Sequence, residues 1–193
     1  MSEMYSRERA RTDLALAMIQ REARTNTIKR CTGLSDDRIR KLCSRYFTER
    51  GGNRVRRRRG KSPQQTARFV RNANHQLQAT TLMNLFVLHS LIRFEGASFR
   101  ATWSNPDVAV GERFCAAFDS YQTVYARPLY SFEWAWALLV ALARDEDLTP
   151  GDCDRCGSQY VRDRYDLDLH ICPACEIRTE RRRRPGARHF AGA

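Results

Sequence analysis

Residues 153–175 read CDRCGSQYVRDRYDLDLHICPAC. Two Cys-x-x-Cys pairs, Cys153/Cys156 and Cys172/Cys175, stand fifteen residues apart. Cysteines three apart on a tight turn can both point at one ion, and Gly157 helps the chain bend after the first pair. Two such knuckles facing each other give the closed tetrahedral four-sulfur shell that a structural zinc ion accepts. Backbone N–H groups in each knuckle can hydrogen-bond the sulfurs. The segment between them, Ser158 to Ile171 with Tyr160, Val161 and Tyr165, predicts a short hairpin. A shell filled by sulfur leaves no position for water, which points to a folding device rather than a catalytic metal. Three other readings stay open: buried or free thiols, an iron–sulfur cluster, and replacement of one sulfur by His170.

Upstream of the cysteines, the middle of the chain predicts helix throughout. Leu77, Thr81, Leu85, Leu88 and Ile92 recur at helical spacing, with Gly96 as the stop. Asn105-Pro106 predicts the next start, after which Phe114, Phe118, Tyr121 and Tyr125 share a face. Pro128 interrupts, Ser131 offers a cap, and Trp134, Leu138 and Leu142 continue the pattern. Aromatic residues at this spacing are read as core. Cys31, Cys43 and Cys115 fall in apolar-patterned helices and are read the same way.

The N-terminal region is helical too. Leu14, Met18 and Ile19 share one face. A short helix fits Asn26 to Thr32, ended by Gly33. Ser35 predicts the cap of a third, Asp36 to about Phe47, with Asp36 and Asp37 suiting its dipole. Thr25 to Phe47 therefore resembles a helix-turn-helix, with Ile28, Leu34, Ile39 and Leu42 as its buried set. The second helix would expose Ser35, Asp37, Arg38, Lys41 and Arg45, residue types that reach base edges and phosphates in a major groove. A plain packed helical hairpin fits the same pattern.

Charge sharpens the division. The net charge is +12. Residues 1–61 hold 18 Lys+Arg against 7 Asp+Glu, residues 62–150 hold 7 against 8, and residues 151–193 hold 9 against 7. A basic end joined to a neutral middle suggests a footprint for a polyanion. Its densest part is an arm, Arg54, Arg56, Arg57, Arg58, Arg59 and Lys61, which would neutralise phosphates without reading sequence. A merely solvated charge run is the competing reading. The expected organisation is an N-terminal helical region with the helix-turn-helix-like unit (1–50), a basic linker or arm (51–62), a central helical region (63–150), a zinc module (151–177) and a basic disordered tail (178–193).

Several function classes are disfavoured. The four histidines are scattered and form no nucleophile–base pattern, so no enzyme is expected. The polar N-terminus and a longest apolar run of ten residues, Trp134 to Ala143, predict a cytoplasmic chain with no membrane segment. Cysteines in a reducing compartment then suggest metal or thiols rather than disulfides. A zinc-ribbon protein bound to RNA or the ribosome would use the same charges, but residues 50–61 hold no aromatic on which bases could stack.

The order of motifs resembles one family. Leu14-Ala15-Leu16-Ala17-Met18-Ile19 is followed by Thr32-Gly33-Leu34-Ser35 and Ile39-Arg40-Lys41-Leu42. Ser131-Phe132-Glu133-Trp134-Ala135-Trp136 follows in the middle, and Cys153 through Cys175 comes last. The chain is similar, over roughly residues 8 to 178, to the FlhC family, subunits of the bacterial flagellar master transcription regulator. The resemblance implies a mostly helical fold, with zinc held by Cys153, Cys156, Cys172 and Cys175. It implies a hexamer of two FlhC and four FlhD chains. It also implies binding to flagellar promoter DNA and activation of transcription by RNA polymerase. The arginine run Arg56–Arg59 and the basic tail have no counterpart in that resemblance.

Overall fold

The computed structural model describes residues 2–47, 55, 63–166 and 170–183. Seven α-helices and two β-hairpins order themselves along those residues. The arm residues Arg54, Arg56, Arg57, Arg58, Arg59 and Lys61, and the tail beyond 183, lie outside them.

Three helices open the chain: α1 (Ser2–Gln20), α2 (Thr25–Thr32) and α3 (Asp36–Tyr46). The stop between α2 and α3 is local chemistry. Gly33 takes the left-handed conformation (φ 68°) and its N–H closes on the Lys29 carbonyl. Ser35 then caps α3 by accepting the Arg38 N–H. Of the predicted buried set, Ile28, Leu34 and Ile39 are buried. Leu42 is half-buried against the same core.

The centre is α4 (Ala73–Leu88), α5 (Val108–Val124) and α6 (Phe132–Arg144). Phe114 packs edge-on against Phe132 (4.8 Å) and Trp136 (4.9 Å), and Phe118 meets Phe132 at 5.2 Å. The aromatic stripe of α5 is thus core, as its spacing predicts. Tyr121 donates to Gln78 on α4, and its hydroxyl accepts the Leu129 and Tyr130 N–H groups. This pins the α5–α6 connection to α4. Gly111 of α5 faces α1 and α2, and a Cβ there would sit 2.6 Å from Leu14 Cδ2 and 3.1 Å from Cys31 Cβ. A side chain there would displace the Leu14 terminus and crowd Cys31, so glycine lets α5 approach closely.

The middle is not wholly helical. Helix α4 ends at Leu88, and Ile92 belongs to strand β1 (Ile92–Glu95), which pairs antiparallel with β2 (Ser98–Ala101). Gly96 turns this hairpin at φ 61° rather than stopping a helix. The reason lies in the period. Ile92 is buried, Arg93 exposed and Phe94 half-buried, and Phe94 pairs across with Phe99 at 5.6 Å between rings. The inward face of α4 is Ala79, Leu82, Met83 and Phe86, while Leu88 is 74% exposed. The start predicted at Asn105-Pro106 shifts to Asp107, whose carboxylate accepts the Val110 N–H at 2.9 Å.

A second hairpin, β3 (Leu148–Asp152) with β4 (Gln159–Asp163), and helix α7 (Pro173–Arg183) complete the chain. The tail expected from residue 178 is therefore helical as far as Arg183. No helix among the described residues is long and apolar enough to cross a membrane.

Candidate functional site

The cysteine centre sits where the second hairpin meets α7. The hairpin is placed differently from the sequence expectation. It does not lie between the two cysteine pairs; its turn is the first pair. Asp152 pairs with Gln159, and Cys153 to Ser158 bridge the strands. The Cys153 N–H bonds the Ser158 carbonyl at 3.1 Å and the Gly157 N–H bonds the Cys153 carbonyl at 2.8 Å, with Gly157 at φ 69°. A knuckle that bends the chain this tightly is itself a hairpin turn, so the strands it joins pair with each other. The second pair lies at the start of α7. Cys172 precedes Pro173, the first helical residue, and Cys175 is in the first turn.

The four Sγ atoms lie within 4.8 Å of one another, and Cys156 Sγ is 3.6 Å from Cys172 Sγ. Four sulfurs tetrahedrally placed at about 2.3 Å from a zinc ion are about 3.8 Å apart, so the group fits such a metal with shifts of at most about 1 Å. The donor set is entirely sulfur. His170 is not part of it; its Nδ1 accepts from Arg162 Nη1 at 2.6 Å.

The sulfurs differ in surroundings. Cys153, Cys172 and Cys175 are buried and Cys156 is exposed. Burial works to raise the Cys153 thiol, but N–H groups of Cys172, Arg155 and Cys156 outweigh it and hold the thiol below its ordinary value. The Cys172 N–H reaches Cys153 Sγ at 3.2 Å. Ser158, through side chain and backbone, lowers Cys156 to about 6. Burial pushes Cys172 up to about 12, and donation toward Cys156 raises Cys175. A metal ion would bind these sulfurs as thiolates and release the protons they hold without it.

The centre is joined closely to the helices. On α4, Gln76 Nε2 donates to the Val161 carbonyl (2.9 Å) and Thr80 Oγ1 accepts the Val161 N–H (3.2 Å). Strand β4 alternates between two cores. Tyr160 packs with the cysteines, and Val161 enters the helical core. Arg164 pairs with Asp145 at 2.8 Å, and Thr149 donates to the Ala97 carbonyl at 3.0 Å. Gln76 and Thr80 escaped sequence reading. Their only signal is a polar pair four residues apart on an otherwise apolar helix face.

The other predicted site residues lie far along the chain, on α3. Arg38 is half-exposed and paired with Glu8 of α1. Lys41 and Arg45 are exposed, and Arg45 lies 5.6 Å from the Tyr46 ring centre. Arg38, Lys41 and Arg45 fall at i, i+3 and i+7, one side of the helix, away from buried Ile39. Among the described residues neither Lys41 nor Arg45 forms an ion pair. The start of α2 is held by Glu133 of α6, 2% exposed, which accepts the Arg24 N–H (2.8 Å) and the Thr27 hydroxyl (3.1 Å).

Compared with known proteins, the chain matches no protein-family model and no curated protein.

Proposed function

We propose that this chain is a zinc-containing, DNA-binding subunit of a transcription activator of the FlhC type. It works as a hetero-oligomer with FlhD-type subunits on flagellar promoters and recruits RNA polymerase. The observation that carries the reading is α3. A short helix, set by a left-handed glycine and a serine cap, turns Ile39 inward and presents Lys41 and Arg45 outward beside Arg38. That is the arrangement by which a second helix lies in a major groove. The excess of positive charge in residues 1–61 supplies phosphate affinity. The four-sulfur group supports a structural zinc ion, because a closed shell offers no coordination position for substrate. Cys153, Cys156, Cys172 and Cys175 would hold it, and its binding energy would be folding energy for the hairpin and α7.

The test is co-purification with an FlhD-type subunit, metal analysis, and titration against a flagellar promoter duplex, a scrambled duplex and structured RNA at physiological salt. One zinc per chain and clear preference for the promoter are expected. Equal binding to both duplexes overturns the reading, and tighter binding to RNA favours the RNA-associated alternative. Lys41→Ala with Arg45→Ala should weaken promoter binding by at least about tenfold, since each lost contact to DNA is worth about 1–3 kcal/mol.

A further inference from the structure

The four sulfurs are chemically equivalent in sequence but not in space. Cys153, Cys172 and Cys175 are 3%, 3% and 7% exposed, whereas Cys156 lies open to solvent at the tip of the β3–β4 hairpin. The residues flanking it, Arg155 and Gly157, are exposed as well. Behind it, at 3.6 Å, is the buried Cys172 Sγ on a different element. A cysteine on an exposed turn with a second sulfur in contact is the arrangement of an attacked cysteine and its resolving partner.

We infer that Cys156 is an oxidative modification site through which the four-sulfur centre is opened, with Cys172 as the resolving residue and a hydroperoxide as the oxidant. This rests on the metal reading proposed above. The Cys156 thiolate attacks the terminal oxygen of the hydroperoxide. An S–O bond forms, the O–O bond breaks, and an alkoxide or hydroxide leaves, taking a proton from water. The sulfur is oxidised to a sulfenic acid and the peroxide is reduced. The Cys172 thiolate then attacks the Cys156 sulfur, the S–S bond forms, and hydroxide leaves. Two electrons have passed from two thiolates to one peroxide. Only Cys153 and Cys175 remain as ligands, too few for a structural zinc shell, so the metal leaves. The consequence is mechanical. Cys172 and Cys175 tie the start of α7 to the hairpin, so loss of the metal unties the start of α7 from the hairpin, while α7 and β4 each remain packed on α4.

The experiment uses the full chain loaded with zinc. Metal content is measured first; a chain that holds none overturns the metal reading itself. Substoichiometric hydrogen peroxide is then added. Zinc release is followed with a colorimetric chelator, and the cysteines are mapped by alkylation and mass spectrometry. One zinc released per disulfide, and a Cys156–Cys172 bridge as the first product, are expected. Cys31 and Cys115, both buried, are internal references that stay reduced. Cys156→His keeps a ligand but removes the attacked sulfur, and should slow release by at least about tenfold. Cys115→Ala, a buried thiol outside the centre, should leave the rate within about twofold of wild type. A first product without Cys156, a bridge from Cys156 to any other cysteine, or equal protection by the two variants overturns the inference while leaving the metal reading intact. If Cys156→His does not fold, the mapping of the wild-type chain decides alone.

Discussion

The α1–α3 unit and the cysteine centre are both small, and both are fixed to the same helical core, yet they are held by different physics. The first has an apolar interior that merges with the core. Leu14, Met18, Ile28, Leu34 and Ile39 are all 5% exposed or less. Arg21, just past the end of α1, adds a pair with Asp119 of α5. The second has almost none of its own: Tyr160 and Ile171 are the only side chains packed with the four cysteines among the described residues. A unit with an apolar interior folds by burial, and one without it needs a bonded centre. The comparison teaches which unit each perturbation should reach.

Removing the metal is the largest expected effect. Zinc binding in small modules is worth about 10–16 kcal/mol at neutral pH, so a chelator or Cys172→Ser should unfold the Cys153–Ser158 turn and the start of α7 while β4 stays docked on α4. Amide exchange should rise there and stay unchanged in α1–α3. Equal loss of protection in both regions would erase the distinction. Next comes Glu133→Ala, which strips the buried carboxylate from the Arg24 N–H and Thr27. A loss of about 2–3 kcal/mol is expected in urea melts, because charge-assisted bonds are removed and donors are left without a partner. The faster exchange should appear at the start of α2 and not in the metal centre.

Alkaline pH probes the α2–α5 contact. Burial pushes Cys31 up to about 12 and Cys115 up to about 11, from an ordinary value of 9.0. Values raised on folding give stability that is complete below the unfolded value and lost as pH rises through the folded ones. Stability should therefore fall between pH 9 and pH 12, by at most about 1.4 kcal/mol per pH unit for each thiol. Cys31→Ala should flatten that slope, measured against wild type so that tyrosine titration cancels. The smallest effect is Gly33→Ala. A side chain at φ 68° costs about 1 kcal/mol, although open space surrounds it. A change larger than about 3 kcal/mol would mean that the α2–α3 turn carries packing as well as conformation.

Much of this molecule was legible one segment at a time. Ser35, Gly33 and the α5 stripe act through neighbours within a turn or two, so their roles survive in the sequence. Where a segment admitted two periods, local reading failed. Leu88 and Ile92 continue a helical spacing on paper, but the chain leaves the helix at His89 because Ile92, Phe94 and Phe99 bury better as a hairpin. The hairpin around Cys153 was misplaced for a related reason. The knuckle's spacing marks a ligand pair, and the same bend makes Leu148–Asp152 and Gln159–Asp163 strand partners.

By itself the sequence determined the mostly helical class, the four metal-binding candidates and the basic side of α3, because spacing, capping and charge are local properties. Only the tertiary structure decided that Gln76 and Thr80 dock the metal centre on α4, that Glu133 anchors α2, and that Cys156 is the one exposed residue among the four cysteines. Those facts depend on contacts between residues tens of positions apart. No pattern along the chain records them, since burial and long-range hydrogen bonding are set by how the elements pack and not by their order.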